Sequence, residues 1–251
     1  MDRMEKPNQA PIERRKLSHQ IEERLLTELQ SGQLLPGDLL ASERELMALY
    51  GVGRPAIREA MQNLERMGLI EIRHGERPRV AQPSFERTLG QLGETIRHVL
   101  FHSESSLEHL KQARVMFEME MARVAAREAQ PEHLRILRRI LEEQKQAMGP
   151  STTFLELDGR FHLELARVSG NPIFSALSEA LFGWLAQFHA HLVRSPGHEH
   201  LTLQEHLSII EAVELHDENL AAKCMADHLN RANALYNVKN AARPVNEGLP
   251  R

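Results

Sequence analysis

The chain has 251 residues, few aromatic side chains and a formal net charge of −4. No apolar run approaches the ~18 residues that a membrane-spanning helix needs, and the first residues lack the apolar segment of a secretion signal. The single cysteine, Cys224, excludes an internal disulfide. We therefore expect a cytoplasmic protein with no membrane partner.

The acidic net charge argues against a general nucleic-acid binder. Residues 1–83 nevertheless carry equal numbers of basic and acidic side chains, so the acid excess lies in the remainder. Any DNA binding must therefore depend on where individual charges are placed.

Three helices and a hairpin are predicted in the first part of the chain. Apolar residues recur at helical spacing from Leu17 to Gln30. The run Ser42–Glu45 has the pattern of a capping box, which predicts the start of a second helix. A third helix is predicted from near Arg54, with Pro55 in its first turn. The runs "LIEI" and "RVA", separated by "RHGERP", predict two short strands. This order is typical of a winged helix-turn-helix unit.

The third helix begins with arginines on one face, since Arg54 and Arg58 are one helical turn apart. A recognition helix points its first turns into the major groove, where a guanidinium can bond guanine O6 and N7 together. The alternative is that these arginines pair with acids such as Glu59 and Glu65 on a solvated face. The residues that we predict to contact DNA are Arg44, Arg54, Arg58, and His74, Gly75 and Arg77 of the wing.

In the rest of the chain, apolar residues recur only at helical spacing. We expect about six or seven helices in an antiparallel bundle, which makes the fold class mainly α with a small β-hairpin wing. The predicted organisation is a disordered arm (1–14), the winged helix-turn-helix domain (15–81), a linker (82–86), the all-helical domain (87–240) and a flexible tail (241–251).

One aspartate and three histidines are predicted to face the interior of the helical domain. Asp158 and His162 are spaced i, i+4 beside an apolar stripe, while His206 shares a stripe with Leu207 and other apolar residues. His228 lies on an apolar face of a third helix. A buried carboxylate is costly unless it is compensated. A cation bound by these four residues would compensate it, and the donors suit Zn²⁺, Ni²⁺ or another first-row metal with open positions for a ligand. The alternative is that Asp158 bonds His162 and that the other two are satisfied core histidines.

Arg114 is also predicted to face inward, and a buried arginine needs an anion. Glu118, one turn further on, is one candidate, and a bound carboxylate is the other. Asn171 reads mainly as a helix cap before Pro172, although we include it with Arg114 as a candidate effector-binding residue.

The segment "PGDLLASERELMALYGVGRPAIREAMQNLERMGLI" resembles the GntR family of bacterial transcription regulators. The resemblance implies that Arg44, Arg54 and Arg58 contact operator DNA and that the wing enters the minor groove. Gly53 departs from the family pattern, which has a serine there, and the wing "HGERPRV" lacks the usual double glycine.

Residues 85–240 resemble the all-helical FCD effector domain of the FadR-type branch of that family, through "ARVMFEMEMARVAA", "DGRFHLELARVSGNP", "QEHLSIIEAV" and "DHL". This resemblance implies a homodimer, a metal on Asp158, His162, His206 and His228, and a carboxylate effector that bridges the metal and Arg114. The segments "NPIFSAL" and "GERPRV" are similar to those of regulators of sialic-acid use, which implies a sugar acid as effector.

The sequence therefore predicts a DNA-binding transcription regulator that acts as a repressor and is not an enzyme. One alternative is a metal-dependent phosphohydrolase of the HD type, suggested by His216–Asp217, although Asp217 at a helix start reads as a cap. The other is an architectural DNA binder with a purely structural metal.

Overall fold

The computed structural model describes residues 16–149, 152–189 and 198–240. The chain divides into two compact units, with the boundary between Ser84 and Phe85. The predicted arm (1–14) and tail (241–251) lie outside the described residues. Among the helices of the described part, none has the length and apolar character that crossing a bilayer requires.

The N-terminal unit consists of three helices and a hairpin, as the sequence predicts. Its elements are α1 (Leu17–Gln30), α2 (Glu43–Tyr50), α3 (Arg54–Arg66), β1 (Ile70–Glu71) and β2 (Arg79–Val80). The capping box is confirmed, because the Ser42 hydroxyl accepts from the Glu45 amide at 3.3 Å and the Glu45 carboxylate accepts from the Ser42 amide at 2.7 Å. Gly51 ends α2 in the left-handed region, with φ 64°, and so turns the chain tightly into α3.

The core of the N-terminal unit is built on one face of α3. Ile57, Ala60, Met61 and Leu64 follow the i, i+3, i+4, i+7 spacing and are at most 2% exposed. They pack with Ile21 and Leu25 of α1 and with the strand pair, in which Ile70 faces Val80. Arg54 and Arg58 lie outside this buried face and are exposed to solvent.

The C-terminal unit is entirely helical in its described residues. Its helices are α4 (Phe85–Gln91), α5 (Gly93–His102), α6 (Glu104–Glu128), α7 (Pro131–Gln146), α8 (Thr152–Arg167), α9 (Pro172–His189), α10 (His198–Glu214) and α11 (Glu218–Asn240). One apolar core joins α6, α7, α8, α10 and α11. The predicted fold class, mainly α with a small antiparallel hairpin, is confirmed.

Two details differ from the sequence expectation. Phe85 and Glu86 begin α4, so the predicted linker (82–86) is shorter than expected. The described part of the C-terminal unit also contains more helices than the six or seven expected, because Ser103 separates α5 from α6. The backbone of Ser103 is extended, and its hydroxyl caps α6 by accepting from the Ser106 amide at 3.2 Å.

Candidate functional site

The arginines at the start of α3 are exposed and share one acidic neighbour. Arg58 Nε lies 3.1 Å from one carboxylate oxygen of Glu43, and Arg54 Nε lies 3.6 Å from the other. The contacting acid is therefore Glu43, at the start of α2, rather than Glu59 or Glu65. Both arginine side chains remain more than 60% exposed, and exposed ion pairs of this kind contribute little free energy.

The other residues predicted to contact DNA lie on the surface of the same unit. Arg44 is exposed at the start of α2, and His74 and Gly75 are exposed at the wing tip, where Gly75 has φ 79°. Arg77 has a structural partner, since its Nη2 donates to Glu45 at 2.9 Å and to the Leu40 carbonyl at 3.1 Å. Arg77 thus ties the wing to the cap of α2.

In the C-terminal unit, the structure brings Asp158, His162, His206 and His228 together from α8, α10 and α11. One possible ligand atom from each residue lies within 4.8 Å of those of the other three. We call these four residues the Asp–His cluster. Asp158 is 9% exposed and the histidines are at most 3% exposed, so access from solvent is greatest on the aspartate side.

Each histidine of the cluster turns its Nδ1 atom toward an acceptor outside the cluster. These contacts are His206 with the Gln144 side-chain oxygen at 2.9 Å, His228 with a Glu205 oxygen at 2.7 Å, and His162 in close contact with Glu118. An oxygen acceptor at Nδ1 requires the proton there and leaves the lone pair on Nε2. The contact of His162 with Glu118 lacks hydrogen-bond geometry, but it places the same atom against a carboxylate.

The Nε2 atoms point into the cluster, and two of them make no hydrogen bond with the described residues. His206 Nε2 lies 3.4 Å from one Asp158 oxygen, and His162 Nε2 lies 4.0 Å from the other. Both nitrogens are buried and lack a hydrogen-bond partner among the described residues. A buried polar atom without a partner costs about 1–3 kcal/mol. A divalent cation bound to these nitrogens and to Asp158 would remove that cost.

Burial favours the neutral form of two of the histidines. It lowers the pKa of His206 well below its usual 6.5, and the neighbouring His228 and His162 lower it further. Burial also lowers the pKa of His228, although its hydrogen bond to Glu205 opposes the shift. Neutral imidazole is the form that binds a metal.

These pKa shifts predict that the metal-free protein loses stability as the solution becomes mildly acidic. Below pH 6.5 the unfolded chain protonates His206 while the folded chain does not, so protons favour unfolding. The loss begins near the unfolded pKa and continues toward the lowered folded pKa. Urea midpoints of chelator-treated protein should be lower at about pH 5.5 than at about pH 7.5. A His206→Asn variant should show a smaller difference, and an equal difference would contradict the assignment to His206.

Arg114 is buried and has an anionic neighbour from its own helix. Its Nε lies 2.5 Å from Glu118 Oε1, and its guanidinium carbon lies 5.4 Å from the centre of the Phe182 ring. Burial raises the pKa of Glu118, but its interactions with Arg114 and His162 outweigh burial and lower it. Glu118 is therefore ionised, and it joins Arg114 to the Asp–His cluster.

Two other predicted residues serve as helix caps. The Asn171 side-chain oxygen accepts from the Ile173 amide at 3.0 Å at the start of α9. The Asp217 carboxylate accepts from the Leu220 amide at 2.9 Å at the start of α11. His216 has a positive φ of 54° in the same connection. The positions of Asn171 and Asp217 are therefore explained by helix capping.

Sequence reasoning missed several residues that shape the cluster. Gln144, on α7, contacts both His206 and Asp158, and the Phe161 ring stacks on His206 at 3.9 Å. Glu205, on α10, bonds His228 of α11, a contact that its position next to His206 in the sequence does not indicate. Nothing in the spacing of Gln144 connects it with the histidines.

Two family models match the two units. The model of the bacterial regulatory proteins of the gntR family matches residues 17–80, and that of the FCD domain matches residues 109–231. The chain is 37% identical over 228 residues to the HTH-type transcriptional repressor NanR of Escherichia coli (strain K12), with 90% of this chain and 86% of that protein covered. The repressor of the same name from Shigella flexneri matches equally well.

Solved structures share the fold at lower sequence identity. Streptococcus agalactiae GntR superposes with a TM-score of 0.58 at 22% identity, covering 86% of this chain and 99% of that chain. E. coli McbR/YncC superposes with a TM-score of 0.52 at 19% identity, covering 89% and 98%. At these identities the likeness concerns the fold alone.

Proposed function

Because the chain belongs to the gntR family of bacterial regulatory proteins, we propose that it is a repressor whose operator affinity is controlled by a small carboxylate. It is a DNA-binding transcriptional regulator with an FCD domain. In our proposal it acts as a homodimer on double-stranded operator DNA. Arg44, Arg54 and Arg58 make the main contacts, and His74, Gly75 and Arg77 form the wing contact.

The observation that carries the effector part of the proposal is the donor set of the Asp–His cluster. A buried carboxylate and imidazole lone pairs without partners converge there. Three nitrogens and one oxygen suit Zn²⁺, and Ni²⁺ or another first-row metal is compatible. When bound, such a metal supplies a Lewis-acidic position that accepts the oxygen of an anionic ligand.

Arg114 gives the proposed effector a second anchor. It lies beside the Asp–His cluster through Glu118, and its buried guanidinium suits a carboxylate. We assign the effector to the sugar acids, with sialic acid as the first candidate. Asn171 remains a weaker candidate contact, since its side chain already caps α9.

The proposed control is a shift between two states of the dimer that differ in operator affinity. An effector can shift this equilibrium only if it binds the two states unequally. The coupling is then reciprocal, so operator DNA must weaken effector binding by the same factor.

The test is operator affinity in the presence of metal and effector. DNA selected by the protein from a random library supplies the operator, and fluorescence anisotropy gives its Kd. We expect N-acetylneuraminate to weaken operator binding about 5- to 150-fold when zinc is present. The methyl ester of the same sugar, which lacks the free carboxylate, should have no effect. If neither this acid nor other sugar acids alter the Kd with zinc present, the proposal is wrong.

A further inference from the structure

We propose that Glu205 is a positioning residue for the metal ligand His228, and that Arg231 holds Glu205 in place. The inference rests on the metal site proposed above. It concerns side chains that lie outside the Asp–His cluster and that neither the sequence pattern nor the family matches assign to it.

Three side chains, those of Arg231, Glu205 and His228, are hydrogen-bonded in series, and His228 belongs to the Asp–His cluster. Glu205 Oε2 accepts from His228 Nδ1 at 2.7 Å. Arg231 bonds both oxygens of the same carboxylate, with Nε–Oε1 2.6 Å and Nη2–Oε2 2.5 Å. The Arg231 Nη2 atom also donates to the Thr202 hydroxyl at 3.1 Å. A two-point arginine–carboxylate contact fixes the orientation as well as the position of the carboxylate.

This series of hydrogen bonds determines which ring nitrogen of His228 faces a metal. A neutral imidazole can carry its proton on either nitrogen, and only a bare Nε2 can bind a cation inside the cluster. A fixed carboxylate at Nδ1 selects that tautomer, holds the ring plane and makes the ligating nitrogen more basic. The His228 side chain is only 4% exposed and that of Glu205 19%, so the carboxylate, rather than bulk water, is the acceptor that Nδ1 meets.

The same arrangement occurs a second time at the cluster. Glu118 lies against His162 Nδ1 and is itself bonded by Arg114. His206 instead has the neutral amide of Gln144 as its acceptor. Two of the three imidazoles therefore have a carboxylate at Nδ1 that an arginine holds, which is the arrangement expected around metal-ligating histidines.

Zinc affinity of the full-length protein tests the inference. Protein stripped of metal would be titrated with Zn²⁺ against a chromogenic chelator. Glu205→Leu removes the acceptor, and we expect about 10- to 100-fold weaker zinc binding. Glu205→Gln keeps an acceptor, as Gln144 does for His206, and should lose less. Glu211→Gln, on an exposed position of the same helix, is the matched control and should bind like the wild type.

A second measurement separates positioning from a general loss of folding. In ¹⁵N NMR spectra of the metal-free protein, the His228 ring should carry its proton on Nδ1, and Glu205→Leu should shift this tautomer balance. Wild-type zinc binding with unchanged affinity and tautomer in Glu205→Leu overturns this inference and leaves the metal site standing. If the wild type itself binds no zinc, the metal site and this inference fail together.

Discussion

Replacing Arg58 with alanine is expected to weaken operator binding by about 1–3 kcal/mol without unfolding the N-terminal unit. The side chain is 62% exposed, lies one turn into α3 and is outside the buried face that carries Ile57 and Leu64. Its planar guanidinium can bond two atoms of one guanine, and alanine removes both bonds. Fluorescence anisotropy with the selected operator at fixed salt measures the loss, because phosphate contacts make every such Kd salt-dependent.

Arg66→Ala provides the matched control for that experiment. It removes the same charge from the same helix, but in the last turn of α3, where the side chain is exposed and contacts Asn63. We expect its effect on operator affinity to be small. Equal losses in Arg58→Ala and Arg66→Ala would mean that net charge, not a base contact, sets the affinity. An unchanged Kd for Arg58→Ala would exclude the assigned contact.

The sequence predicts the ends of helices well where residues close to each other in the sequence form the cap. Ser42 and Glu45 bond each other across one helical turn, so the start of α2 can be read without tertiary information. The break at Ser103 has only part of such a signal, because Ser103 caps α6 through the Ser106 amide without the reciprocal bond of a capping box. It lies in a polar run between Leu100 and Leu107, and those two leucines pack in one small core cluster. The bend between α5 and α6 serves that packing.

The candidate site follows the same division. Asp158 and His162 share a helix face because of their i, i+4 spacing, so their proximity can be predicted from the sequence. The buried face of α10 was less well predicted, because Leu207 is 38% exposed whereas Ile209 and Ile210 are fully buried. That face is set by the helices that pack against α10.

The partners of the histidine Nδ1 atoms lie beyond any local pattern. His228 meets Glu205 from another helix, and His206 meets Gln144 from a third. Such contacts appear only when the bundle is assembled. They nevertheless decide which nitrogen faces the cluster, so the least predictable residues determine its chemistry.

Replacing His206 with alanine is expected to abolish most of the stabilisation that zinc gives to the protein. A metal that binds only the folded chain stabilises it by about 4 kcal/mol at a thousandfold excess over its Kd. His206 is fully buried within the Asp–His cluster, and alanine in its place offers no donor atom to the metal. The measurement is the zinc-induced shift in the unfolding midpoint of each protein. Because each variant is compared with its own metal-free form, the destabilisation caused by the cavity cancels.

His200→Ala is the matched control, since His200 is an exposed histidine of the same helix. It should keep the zinc-induced shift of the wild type. A shift of wild-type size in His206→Ala would remove His206 from the proposed metal site.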